Sequence, residues 1–164
     1  MKHNCYISIG SNIGNRVLNI DNSIMHLSHF SKIIKSSSYY ETSPWGYIDK
    51  RDYINIILQI QTSLTPHLLL KKIKLIESKM GRKKSNLSNY SARIIDLDII
   101  FYDNIILSDI NLIIPHPKLY NRKFVLVPLC ELSPNIKCPF RKETVEDILL
   151  NSDDNSNISL FKKC

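Results

Sequence analysis

Cys5, Ile7 and Ile9 alternate with Tyr6 and Ser8 ahead of the turn residues Gly10, Ser11 and Asn12. That period of two predicts a short strand. From Asn15 to about Phe30 the spacing changes, and Val17, Leu18, Ile20, Ile24, Met25 and Leu27 recur at three and four residues, which predicts a helix. Two extended stretches follow, at 33–41 and at 53–61. In the second, Ile54, Ile56, Leu58 and Ile60 alternate with Tyr53, Asn55, Ile57, Gln59 and Gln61, and the two are expected to pair across the loop 44–52. Thr65 is an N-cap ahead of Pro66, and Leu69, Leu70, Ile73, Ile76, Glu77 and Met80 carry a second helix to Gly81. A polar stretch at 83–92 then leads into the apolar run 94–102, a fourth strand.

The order βαββαβ predicts a ferredoxin-like α+β sandwich, in which two helices cover one face of an antiparallel sheet. Beyond Asp103 the chain offers two short extended pieces, a turn at Ile114-Pro115-His116-Pro117, a helix over 122–132 and a last helix over 144–150. Extra strands and helices are therefore expected toward the C-terminus, followed by a polar tail, 151–164, that is expected to fray. With 164 residues, 43% hydrophobic and 23% charged, the chain reads as one domain over 1–164 that can bury a core without disulfides or a structural metal. The same figures exclude collagen, disorder and coiled coil.

Charge narrows the choice of partner. Twenty-two Lys and Arg against fifteen Asp and Glu give a net charge of +7, which favours a polyanion, either nucleic acid or nucleotide, unless the lysines only solvate the surface. Cys5, Cys130, Cys138 and Cys164 lack a CxxC spacing or a histidine pattern, so they read as free thiols. The apolar run before Gly10 is too short for a signal peptide or a membrane span, and a cytoplasmic location is expected. No long apolar seam is evident, so a monomer is the expectation.

The chemistry concentrates in Ile94-Ile95-Asp96-Leu97-Asp98-Ile99-Ile100-Phe101. Two carboxylates inside an apolar strand cost several kcal/mol to bury unless something pairs them. In a strand, i and i+2 share a face, ~7 Å apart. Asp96 and Asp98 therefore point one way, while Leu97, Ile99 and Phe101 point the other. Such a pair suits Mg2+ carrying a polyphosphate, or else salt bridges to basic neighbours. Arg82 and Arg93 bracket the polar stretch, and Lys83 and Lys84 add charge, a composition that fits metal-bound polyphosphate. His116, in its Pro-rich turn, and Arg122 are further phosphate candidates, although a histidine in such a turn is commonly structural. Gly10 and Gly14 lack the Lys-Ser or Lys-Thr of a Walker motif, so side chains and metals would have to hold phosphates. Tyr53, Asn55, Thr42 and Trp45 compose an aromatic and amide pocket that suits a flat heterocycle, or simply packing contacts.

Taken in order, YISIGSNIGNR, SSYYETSPWG, DYINIILQIQT, IESKMGR, ARIIDLDIIFYD, IPHP and NRKFVLVPLCELSP resemble the 6-hydroxymethyl-7,8-dihydropterin pyrophosphokinases, over about Tyr6 to Pro134. The resemblance implies transfer of the β,γ-pyrophosphoryl group of ATP to the hydroxymethyl oxygen of the pterin, with release of AMP. It implies that Asp96 and Asp98 hold two magnesium ions and that Arg82 and Arg93 are the phosphate-binding, catalytic arginines of a mobile loop. His116, Arg122 and Lys84 then bind ATP phosphates, Leu70, Ile99 and Ile113 line the adenosine site, and Thr42, Pro44, Trp45, Tyr53, Asn55 and Phe124 form the pterin pocket. Glu77 and Gly10 belong to the motifs without an implied contact. The chain departs from the family pattern in a slightly longer loop between Arg82 and Arg93, in Lys84 where Arg is frequent, in Tyr90 where Trp is frequent, and in Asn15 where an acidic residue is common.

Two other classes compete. A basic βαββαβ domain is also the outline of an RNA-recognition module, but the first and third strands lack clustered aromatics, and two aspartates on an open sheet repel phosphate. A metal-binding structural protein is weaker still, because two carboxylates make a poor permanent cage. Replacing either aspartate with Ala is expected to leave the fold intact.

Overall fold

The alternation of apolar and polar residues becomes two-faced strands in the computed structural model, which describes residues 1–46, 49–82 and 92–162. Strand β1 (His3–Ser11) lies between β4 (Tyr53–Thr62) and β5 (Asp96–Tyr102) and is antiparallel to both. The sheet continues from β4 to β2 (Ser31–Ser36) and β3 (Tyr40–Thr42). Helices α1 (Arg16–Ser28) and α2 (Pro66–Lys79) complete the ferredoxin-like βαββαβ unit. Cys5, Ile7, Ile9, Ile54, Ile56, Leu58, Ile60, Leu97 and Ile99 pack in one core with Ile20, Leu27, Leu69, Ile73 and Ile76 of these helices.

Among the described residues, the opposite face is only partly covered. α3 (Lys123–Leu132) and α4 (Val145–Leu150) bury Tyr6, Ile57, Ile100 and Phe101. At the other end of the same strands, Ser8, Gly10, Tyr53, Asn55, Asp96 and Asp98 line a cavity instead. That uncovered end is where the sheet can meet a ligand.

Local chemistry sets several boundaries. Asn15 caps α1, its Oδ1 accepting from Leu18 N at 3.0 Å. Thr65 stands extended ahead of Pro66 but makes no side-chain cap bond. Thr144 and Asp147 form a reciprocal capping box at the start of α4.

Three expectations need correction. The stretch 33–41 is not one strand, because the chain between β2 and β3 leaves the ladder. Ser37 Oγ accepts from Ile57 N at 2.9 Å, and Ser38 N and Oγ donate to the Glu131 carboxylate of α3 at 3.0 and 2.9 Å, so side chains replace part of the backbone pairing. Phe101 does not share the face of Leu97 and Ile99. A bulge opposite Tyr6 and Ile7 inserts one residue and reverses the alternation, and Phe101 joins Tyr6 under α3.

The polar tail is the third. It forms a strand, β8 (Ile158–Leu160), antiparallel to β3. The two extended pieces after Asp103 pair with each other as β6 (Leu107–Ser108) and β7 (Ile113–Ile114). Among the described residues, no helix is long and apolar enough to cross a membrane.

Burial also sorts the thiols. Burial, with the Asp103 carboxylate adding to it, pushes the Cys5 thiol up to about 12, and Cys138 is equally shielded from solvent. Cys164 lies outside the described residues. In a Cys164→Ser background, a thiol reagent at pH 8 is expected to modify Cys130 first and to reach Cys5 and Cys138 only on unfolding. Mass-spectrometric mapping of the label checks the order.

Candidate active site

The cavity at the uncovered end of the sheet has a volume of about 260 Å3. Strand register builds its floor. Gly10 of β1 pairs with Asn55 on one side and Asp96 on the other, and Ser8 pairs with Asp98, so three strands present an amide and two carboxylates side by side. Gly10 is required by space rather than by a turn, since a Cβ there would stand 2.7 Å from Asn55 Oδ1. The room it leaves lets Asn55, 3% exposed, donate from Nδ2 to Thr42 Oγ1 at 2.7 Å.

The charged half of the cavity is an ion-pair network. Asp96 accepts from Arg82 Nη1 at 2.7 Å through Oδ1 and from Arg93 Nη1 at 2.6 Å through Oδ2. Burial opposes its ionisation, but Arg82 and Arg93 outweigh burial and hold the carboxyl below the usual carboxylate range. Burial also works against the Arg93 cation. The Asp96 carboxylate outweighs it and raises the guanidinium above its ordinary value.

Behind them lies Glu77, 3% exposed, whose pKa is raised by burial against the opposing pull of Lys74 and Arg82. Its carboxylate accepts from Lys74 Nζ at 2.9 Å, from Arg82 Nη1, and from Leu97 N at 2.8 Å. One buried acid thus anchors two site cations and the start of β5.

Asp98 has a looser setting. Arg122 Nη1 lies 3.5 Å and His116 Nε2 3.7 Å from Asp98 Oδ2. His116 Nδ1 accepts from Lys118 N at 3.1 Å, which leaves the ring proton on Nε2, facing Asp98. Burial lowers the His116 pKa below the usual imidazole value despite the pull of Asp98, so the ring is neutral at pH 7.

The aromatic half adjoins Asp98. The Arg122 guanidinium lies over the rings of Trp45 and Phe124, at 5.3 and 5.5 Å from their centroids. Its Nε is buried with no hydrogen-bond acceptor among the described residues. Trp45, Tyr53, Phe124 and the Asn55 amide give this side flat apolar surface with one polar handle.

The cavity brings together Asp96, Asp98, Arg82, Arg93, His116, Arg122, Thr42, Trp45, Tyr53, Asn55 and Phe124. Of the other expected site residues that are described, none lines it. Pro44 is half-buried beside it. Leu70 packs half-buried on the α1/α2 core, Ile99 is buried there on the sheet face opposite the aspartates, and Ile113 is exposed on β7. Lys83, Lys84 and Tyr90, with the expected loop closure, lie outside the described residues.

Lys74 was missed, and its place three residues before Glu77 was the available signal. Asn12 was missed too. Its N donates to Arg93 O at 3.1 Å and its Oδ1 accepts from Arg93 N at 2.7 Å, so the turn after β1 fixes the backbone of a site arginine.

The donor set fits Mg2+. Both candidate ligands are carboxylates on one sheet face, open to the same cavity. Among the described residues no group of three or more His, Cys, Asp and Glu could enclose an ion. Two carboxylates match the small number of protein ligands that magnesium takes.

Residues 6–134 match the family model of 7,8-dihydro-6-hydroxymethylpterin-pyrophosphokinase. The chain belongs to that family. It is 36% identical over 142 residues to the 2-amino-4-hydroxy-6-hydroxymethyldihydropteridine pyrophosphokinase of Aquifex aeolicus, covering 87% of this chain and 88% of that protein. It is 33% identical over 157 residues to the protein of the same name in Haemophilus influenzae, covering 94% and 96%. The match to the folic acid synthesis protein FOL1 of Dictyostelium discoideum is 39% over 153 residues and takes in 93% of this chain but only 23% of that longer protein. Among solved structures, a Plasmodium falciparum HPPK-DHPS triple mutant aligns with a TM-score of 0.75 at 18% identity, over 92% of this chain and 44% of that one, a likeness of fold.

For this pyrophosphokinase-family chain, the Gly10 contact gives a direct test. Gly10→Ala is expected to displace the Asn55 carboxamide, break its bond to Thr42 and lower kcat/KM for the heterocyclic substrate on the order of tenfold, the loss of a buried hydrogen bond. Thermal unfolding should move far less than activity, and paired melting and kinetic measurements read both.

Proposed function

We propose that this chain is an ATP-dependent pyrophosphokinase that transfers the β,γ-pyrophosphoryl group of ATP to the hydroxymethyl oxygen of 6-hydroxymethyl-7,8-dihydropterin, releasing AMP, a step of folate biosynthesis. The observation that carries this reading is the single cavity in which a lysine, arginine and aspartate half adjoins an aromatic and amide half. A triphosphate needs the first and a flat heterocycle the second. Family membership supplies the reaction class.

Phosphoryl transfer depends mainly on positioning and charge neutralisation, so no nucleophilic side chain is required. Asp96 and Asp98 are the proposed ligands of two Mg2+ ions. When bound, these ions supply charge neutralisation at the triphosphate and lower the pKa of the attacking hydroxyl. Both Asp96 oxygens are engaged by guanidinium groups in the free protein. Arg82 and Arg93 carry forked donors that match phosphate oxygens, and a cation held by Asp96 would compete with them for its carboxylate.

Neutral His116 donates from Nε2, and Lys74, Lys84 and Arg122 add donors around the chain of phosphates. Thr42, Pro44, Trp45, Tyr53, Asn55 and Phe124 hold the pterin, which takes up ring faces that Arg122 now covers. Leu70, Ile99 and Ile113 are assigned to adenosine. α3 and α4 occupy part of the sheet face that an RNA-recognition module leaves for bases, which favours small-molecule substrates without nucleic acid. A cytoplasmic monomer spanning 1–164 as one domain completes the proposal, and sedimentation at micromolar concentration checks the oligomeric state.

Incubation with ATP, Mg2+ and the reduced pterin is expected to yield AMP, with no ADP, and a chelator should stop it. Formation of ADP would sink the reading. Arg93→Ala should lower kcat more than it raises the KM for ATP if its phosphate contact strengthens in the transition state.

The structure separates the two aspartates, which had been expected to behave alike. Asp98→Ala and Asp96→Ala are both expected to abolish turnover, but Asp96→Ala also removes a carboxylate partner from Arg82, which keeps Glu77, and from Arg93, and is expected to lower Tm. Because the folded-state pKa of Asp96 lies below its unfolded value, its contribution to stability is present above the usual carboxylate pKa and is lost as pH falls through the folded value. Acid unfolding should therefore destabilise the wild type more than Asp96→Ala, and acid titrations of both proteins followed by circular dichroism compare them.

A further inference from the structure

The family match ends at residue 134, and the chain beyond it returns to the aromatic side of the cavity. A local deficiency explains why a returning segment is useful there. α3 starts at Lys123, so its N-cap position belongs to Arg122, a side chain with donors only, and no cap bond comes from it. Within the helix, Val125 N and Leu126 N find the Arg122 carbonyl at 2.9 and 3.0 Å, whereas Lys123 N, at the first helical position, needs an acceptor from outside it.

Asp154 supplies the acceptor. Its Oδ2 takes a hydrogen bond from Lys123 N at 2.8 Å, and its Oδ1 accepts from Ser156 N at 2.9 Å and Ser156 Oγ at 2.5 Å. The tail then forms β8, which sets Ile158 opposite Thr42 and Leu160 opposite Tyr40. Phe161 N donates to Tyr39 O at 2.7 Å, and its ring lies 5.7 Å from the Arg16 guanidinium. Arg16 in turn holds Glu41 Oε1 at 2.7 Å and the Asp52 carbonyl at 2.9 Å.

Each attachment precedes or carries a residue of the aromatic half. Lys123 lies next to Phe124, β3 carries Thr42, and Asp52 precedes Tyr53. Lys74, Arg82 and Arg93 of the charged half are anchored elsewhere, by Glu77 and Asn12. We infer that residues 154–161 form a strap that positions the aromatic half of the cavity, with Asp154 as its positioning residue, and that it sets affinity for the heterocycle rather than for the triphosphate. The inference rests on the assignment of the pterin to that half.

Steady-state kinetics on the full chain test it. Asp154→Ala is expected to raise the KM for the reduced pterin about fivefold, the size of a lost helix cap. The KM for ATP should stay within about twofold, and Asp154→Asn, which keeps an acceptor oxygen, should restore the pterin value. Equal effects on both substrates, no effect on the pterin, or failure of the Asn variant to restore it would overturn the strap.

If Asp154→Ala does not fold, Phe161→Ala carries the same expectation with a smaller change, and an even effect on both substrates counts against the strap. Hydrogen exchange separates this inference from the functional reading. Faster exchange in Asp154→Ala at 40–42 and 123–126, with 96–98 unchanged, supports the strap even if the wild-type chain forms no AMP. Uniform acceleration, or none, overturns it.

Discussion

A carboxylate rooted in an apolar strand needs cations, and the arrangement of this site follows from how Asp96 obtains them. Arg82 comes from the end of α2 and Arg93 from the approach to β5, and one carboxylate closes the gap between them. An unpaired charge there would cost several kcal/mol. The pairing removes that cost and, in the same act, gathers around one point the groups that a triphosphate requires. Glu77 repeats the device one layer deeper, holding Arg82 and Lys74 from behind. The site is therefore organised without a ligand, and under the proposed function its carboxylates stand where anionic ligands and their cations would compete.

Position of the cavity is a matter of incomplete cover. A sheet with two apolar faces would be buried on both sides, and α1 and α2 do this for one of them. On the other, α3 and α4 reach Tyr6, Ile57, Ile100 and Phe101, and among the described residues the far end of β1, β4 and β5 is left uncovered. The bulge in β5 divides these territories. It allows the strand to put aspartates into the cavity at one end and Phe101 into the α3 core at the other, on the same side of the sheet.

The two halves of the cavity are held by different means, which has a functional sense. Ion pairs to Asp96 and Glu77 can exchange partners, as the proposed entry of phosphate and metal would require. Flat packing surfaces cannot, and the aromatic half is fixed by strand pairing, a helix start and the hydrogen bond between Asn55 and Thr42. Rigid apolar walls with exchangeable charges opposite them suit a transfer between a heterocyclic alcohol and a polyphosphate.

Periodicity alone determined the βαββαβ order, the two-faced character of β1 and β4, and the shared face of Asp96 and Asp98, because each depends on spacing within a single segment. Arg82 and Arg93 were legible as cations near those acids, and Tyr53, Asn55 and Trp45 as a pocket. Lys74 and Asn12 were not, since their roles arise from partners brought close by folding. Nor was the tail: the polar residues after α4 carry no strong pattern, and only the free edge of β3 and the uncapped start of α3 give them somewhere to go. Sequence settles what can repeat along a chain, whereas a bulge, a missing cap and an open sheet edge are contacts between distant residues, and tertiary structure alone creates them.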